Sequence, residues 1–71
     1  MSDENVEKLA EFDAPYRRKV LLGEVEFDSG MKLLRLTLRE GHRITIVDLD
    51  AETANGIATA MSTWAKNAGG D

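Results

Sequence analysis

Seventy-one residues with a formal net charge of −4 and 42% apolar content describe one small domain, near the lower size at which a single core holds a chain folded. The absence of cysteine excludes a disulfide framework and thiolate metal sites, and a single histidine leaves zinc or copper short of ligands. No apolar run approaches a membrane span and the first dozen residues carry neither a basic nor an apolar signal region, so the expectation is a cytoplasmic protein.

The charge is unevenly spread. Residues 1–13 set Asp3, Glu4, Glu7, Glu11 and Asp13 against Lys8, whereas residues 14–43 set Arg17, Arg18, Lys19, Lys32, Arg35, Arg39 and Arg43 against Glu24, Glu26, Asp28 and Glu40. Residues 44–71 return to acid, with Asp48, Asp50, Glu52 and Asp71 against Lys66. Such asymmetry most often belongs to a solvated surface.

Residues 1–15 read as an arm outside the domain. Val6, Leu9 and Ala10 give one weakly helical turn, and Pro15 ends it by lacking a donor and turning Ala14 away from helix. The arm is expected to be weakly helical or without fixed structure, with the domain at residues 16–68 and a tail at 69–71.

Three β-rich runs follow. In residues 20–27, Leu21, Val25 and Phe27 fall on one face with Gly23, and Leu22, Glu24 and Glu26 on the other. In residues 31–39, Leu34, Leu36 and Leu38 alternate with Arg35, Thr37 and Arg39, the pattern of a strand with one dry face. A two-residue Ser29-Gly30 turn would set Val25 opposite Leu34 and Leu21 opposite Leu38. A slip by one residue would oppose Val25 to Leu33 and Glu24 to Leu34, so the pattern favours the first register. A three-residue loop of Arg39, Glu40 and Gly41 would then pair Leu36 with Ile44, Leu34 with Ile46 and Lys32 with Asp48.

Asp50 is a natural N-cap for a helix whose stripe is Ala54, Ile57, Ala58, Met61, Trp64 and Ala65. Gly56 weakens that helix, and Ala68, Gly69 and Gly70 end it, with Gly69 suited to the C′ position. The expected fold is α+β: a three-stranded antiparallel meander, order 1-2-3, with one C-terminal helix on one face (β-β-β-α). Gly23 would lie under the helix and leave room for Met61 or Trp64.

Chemistry-bearing constellations all have simpler readings. His42 sits beside a turn, Asp48 has a cross-strand lysine, Asp50 caps the helix, and Gly69-Gly70 lacks the lysine and following helix of a phosphate loop. No catalytic, cofactor or metal residues are assigned, and no small-molecule substrate is implied. Two surfaces look unfinished. In the expected register Met31, Leu33, Val47 and Leu49 form an apolar patch away from the helix, and Arg43, Ile44, Thr45 and Ile46 form an exposed edge strand. Arg35, Arg39 and Arg43 are the alternative, a nucleic-acid face, against which Glu24 and Glu26 and the acidic total weigh.

The string DAPYRRKVLL, with SGMKLLRLTLREGHRITIVDLDAETA and MSTWA after it, resembles a family of short uncharacterised bacterial proteins, a domain of unknown function. The family pattern joins an APY segment, SGM-LLR, REG-R-TI-DLD and a terminal WA, matched here at residues 14–16, 29–35, 39–50 and 64–65. The resemblance implies no activity and no site. The reading that results is a small non-enzymatic accessory or regulatory module. It binds a protein partner or itself, with a homodimer expected, and no membrane or cofactor is involved. Nucleic-acid binding is the alternative.

Overall fold

The structure, a computed structural model, describes residues 4–69. Strands β1 (Glu4–Ala14), β2 (Arg18–Phe27), β3 (Lys32–Glu40) and β4 (Arg43–Leu49) form one antiparallel sheet in the order β1-β2-β3-β4. Helix α1 (Ala51–Gly69) follows at once. The sheet has four strands, not three: residues 4–14, expected within an arm weakly helical or without fixed structure, pair with β2 along their whole length. The apolar spacing of Val6, Leu9 and Ala10 is that of a strand interrupted by a β-bulge. Lys8 pairs with Gly23 and Ala10 with Leu22, so Leu9 is inserted between them. Residues 1–3, the start of the expected arm, and residues 70–71, most of the expected tail, lie outside the described residues.

Both hairpins that flank β3 differ from expectation by one residue, in opposite senses. The β2–β3 turn takes three residues, Asp28, Ser29 and Gly30. The Phe27 N–H donates to the Met31 carbonyl at 2.9 Å, the Gly30 N–H donates to the Phe27 carbonyl at 2.8 Å, and Gly30 adopts φ 90°. That is the three-residue hairpin closed by a left-handed glycine. The β3–β4 turn takes only Gly41 and His42 between the paired Glu40 and Arg43, with Gly41 at φ 60°. Glycine at the first central position suits a two-residue loop whose twist matches the strands.

Side chains alternate, so each one-residue difference turns a whole strand over. Val25 opposes Leu33 and Glu24 opposes Leu34, the register that apolar alternation disfavoured. Leu36 opposes Val47, Leu34 opposes Leu49, and Arg35 rather than Lys32 meets Asp48. On β3 the expected face holds: Leu34 and Leu36 lie against α1, with Leu22, Leu49, Ala54, Ile57, Ala58 and Met61 around a cleft of about 120 Å³. Gly23 lies on the opposite face from the helix. A Cβ there would stand 3.2 Å from the Glu7 carbonyl oxygen and 3.4 Å from Val6 Cγ1, so its bare Cα lets β1 approach β2 closely.

Asp50 caps α1 as its sequence demands. The Thr53 N–H donates to Asp50 Oδ1 at 2.8 Å and the Ala54 N–H to the Asp50 carbonyl at 2.9 Å. The bond from Thr53 holds the Asp50 carboxyl below the usual carboxylate range.

Two outcomes check this fold. Leu36→Ala removes a leucine from the helix–sheet cleft and should cost about 2 kcal/mol, near the lower end for such truncations because Leu36 is only half-buried. Thr37→Ala, on the other face, should stay within about 0.5 kcal/mol; comparable denaturant midpoint shifts for the pair would show the faces of β3 reversed. Asp50→Ala should lower the melting temperature while Asp50→Asn retains most of the cap, and calorimetry on the pair reads the difference directly.

Candidate interaction surface

With β2 and β4 turned over, the face away from α1 acquires an apolar composition that the helix never covers. Following the ladders, it carries Val6 from β1, Leu21, Val25 and Phe27 from β2, Leu33 and Thr37 from β3, and Ile44 and Ile46 from β4. Val25, flanked by Val6 and Leu33, is 0% exposed and is the one fully buried apolar side chain among the described residues. Around it the face stays open: Ile44 and Ile46 are each 54% exposed. Above Gly23 the missing side chain leaves a depression of about 210 Å³, lined by Val6, Lys8, Leu21, Arg35 and Thr37.

The charges on this face are largely compensated. Arg35 grips Asp48 with both arms, Nε to Oδ1 at 2.8 Å and Nη2 to Oδ2 at 2.9 Å. That fork holds the Asp48 carboxyl below its usual range, against the opposing effect of burial. At the β1 side the bulge at Leu9 brings residues three apart onto one face, and Lys8 pairs with Glu11 there. Lys19 reaches Glu11 Oε2 at 3.0 Å and Asp13 Oδ1 at 3.7 Å. The hydrogen bonds from Lys8 and Lys19 bring the Glu11 carboxyl from 4.5 to about 2, and Glu11 in turn raises Lys19.

The sequence-derived candidates are redistributed. Of the patch Met31, Leu33, Val47 and Leu49, Leu33 lies on the open face, Val47 and Leu49 lie on the helix side, and Met31 closes the β2–β3 turn, so the four are not one surface. Arg43, Ile44, Thr45 and Ile46 do form the exposed edge, and Ile44 and Ile46 also join the open face. Arg35, Arg39 and Arg43 are separated: Arg35 and Arg39 share the open face, Arg35 held by Asp48, while Arg43 lies on the helix side opposite Glu40.

Two features escaped the sequence reading. Tyr16 and Arg17 take φ 65° and 61° in the β1–β2 turn, a costly conformation for such residues, and Tyr16 stands beneath the Arg18 guanidinium at 5.8 Å. Beside them Arg17, Arg18, Lys19 and Arg39 line a cleft of about 340 Å³ at the basic end of the sheet, where Arg18 pairs with Glu40. The second is the second half of α1, whose apolar stripe stays uncovered. The run of Tyr16, Arg17, Arg18 and Lys19 signalled the first; the scarcity of charge in α1, Glu52 and Lys66 alone, was the available signal for the second.

Among the described residues no cluster of histidine and carboxylate side chains could hold a metal, and no helix is long and apolar enough to cross a membrane.

The low value at Glu11 fixes the sign of a pH dependence. A depressed carboxyl contributes stability fully above about pH 4.5 and loses it as pH falls through about 2. The melting-temperature gap between the wild type and Glu11→Gln should therefore be complete above pH 4.5, close towards pH 2, and narrow with added salt because the group is exposed. A gap that instead widens in acid would contradict the Lys8–Glu11–Lys19 geometry.

No curated protein and no solved structure matches the chain. One family model does, over residues 3–67 and thus across every strand and nearly all of α1. The match agrees with the resemblance at the level of a domain of unknown function: the chain belongs to the family of unknown function DUF6967.

Proposed function

We propose that the chain is a small non-enzymatic interaction module that binds a protein partner through the open face of its sheet. The observation that carries this reading is the composition of that face. Val6, Ile44 and Ile46 are exposed on a sheet whose other side holds its own helix, and most of the charges between them are paired, Arg35 with Asp48 and Lys19 with Glu11, with Arg39 the exception. An apolar centre with compensated charges at its rim is the anatomy of a protein contact. A polyanion-binding face would instead present uncompensated cations to phosphates. Arg35 is committed to Asp48, and Lys19 to Glu11 and Asp13.

A photo-crosslinking residue in place of Ile46, introduced into the protein in its native cells, tests this directly. The expected result is one discrete protein adduct from position 46 and none from the same group at Asp28, in the exposed turn. A nuclease-sensitive adduct would transfer the function to nucleic-acid binding. Equal, diffuse labelling from both positions would defeat the proposal.

A further inference from the structure

The helix side of the molecule is a core with one wall missing. In α1 the stripe Ala54, Ile57, Ala58 and Met61 meets Leu22, Leu34, Leu36 and Leu49, yet exposure rises along it from 37% at Ile57. Met61 is 61% exposed and Trp64, next along the same stripe, 71%. Phe12 and Val47, also on the helix side of the sheet, are exposed as well. The outward surface of α1 is unusual too. Glu52 and Lys66 are its only charges in 19 residues, although 31% of the whole chain is charged. A helix facing water normally carries charge on its outer side.

The dimensions agree. A compact monomer of 7.8 kDa exposes about 4,400 Å², whereas this chain exposes 5845 Å². Its radius of gyration is 14.1 Å against about 11 Å for a compact chain of its length. The excess of roughly 1,400 Å² per chain, shared between the open face and the helix side, leaves room for the ~800 Å² that each partner contributes to an interface of standard size.

We propose that a second copy of this chain supplies the missing wall, in a twofold dimer that buries Ile57, Met61 and Trp64 of α1 together with Phe12 and Val47 of the sheet. This surface is distinct from the open face. Its composition selects the occupant: the exposed stripe continues, residue for residue, the stripe already seated in the chain's own cleft. Permanent interfaces resemble a core cut in half, whereas partner-binding faces retain charge. The open face keeps Arg35, Asp48, Lys19 and Glu11; the α1 stripe has no charge. An isologous contact also needs a patch that complements itself, which an uncharged apolar stripe does without charge matching.

Trp64, the single tryptophan, reports on the interface without a label. Light scattering on the full chain should give the mass of two chains, with tryptophan emission that shifts red as dilution releases monomer. The melting temperature should rise with protein concentration, as for any coupled folding and association. Met61→Lys should lose the two-chain mass at concentrations where wild type is dimeric and shift emission red, while Ile46→Arg on the open face keeps both. If Met61→Lys unfolds on dissociating, the concentration dependence of the wild-type melt still decides. The proposal is overturned by a monomer at every concentration with a concentration-independent melt. A dimer with solvent-exposed tryptophan overturns it equally, as does one broken by Ile46→Arg or by Thr45→Pro at the β4 edge but not by Met61→Lys. Those results would place the contact on the open face or the edge. In that case the photo-adduct from position 46 would have the mass of two chains, which tells self-association through the open face from capture of a different protein.

Discussion

Which residues of β2 and β4 face the helix is decided by two glycines outside both strands. Gly30 at φ 90° closes a three-residue turn and Gly41 at φ 60° opens a two-residue one. Because side-chain direction alternates, the parity of each loop commits an entire strand. β3 is the fixed reference between them, with its leucines under α1 and Arg35, Thr37 and Arg39 away from it. The rest of the molecule inherits those parities. Leu22, Leu49 and Val47 join the helix side, Leu21, Val25 and Ile46 the open side, and Arg35 is set beside Asp48.

The consequence is a sheet apolar on both faces with one helix, on one side, to cover them. An antiparallel sheet usually keeps one solvated face. Here β1 changes the balance, since Val6 packs across from Val25 and Gly23 lets the β1 backbone come close enough to bury it. The expected arrangement put Leu21, Val25 and Phe27 of β2 and Ile44 and Ile46 of β4 beneath α1, and left Val47 and Leu49 outside; the observed loop parities exchange the two sets. Dividing the apolar residues between faces gives each side a modest hydrophobic surface and leaves neither closed.

Much of this was legible in the sequence, and the failures share a cause. The β3 pattern, the Asp50 cap, the position of α1 and its stripe are local signals, fixed by period and capping chemistry, and each appears where the residues put it. Register is not local. Turns of two and three residues both accept Ser-Gly and Glu-Gly, and alternation in β2 is ambiguous because Leu21 and Leu22 are adjacent apolar residues. β1 was obscured because the inserted Leu9 breaks period two and leaves Val6, Leu9 and Ala10 at helical spacing. The apolar patch assembled from the wrong register fell apart for the same reason, while the edge residues, which depend only on β4 being outermost, stayed together.

The two edges of the sheet are defended unequally, and that asymmetry ties the surfaces to one another. β1 carries a bulge and the Lys8, Glu11 and Asp13 charges, all of which oppose pairing with a stray strand. β4 presents Ile44, Thr45, Ile46 and Val47 in an unbroken run of strong strand formers, with charge only at Arg43 and Asp48, and Asp48 is held by Arg35. An unprotected edge next to two apolar faces is a liability for a chain that stays alone. In the proposed dimer Val47 would lie beneath a second helix, and a partner on Ile44 and Ile46 would cover the opposite face, so that β4 would be reached only along its backbone edge.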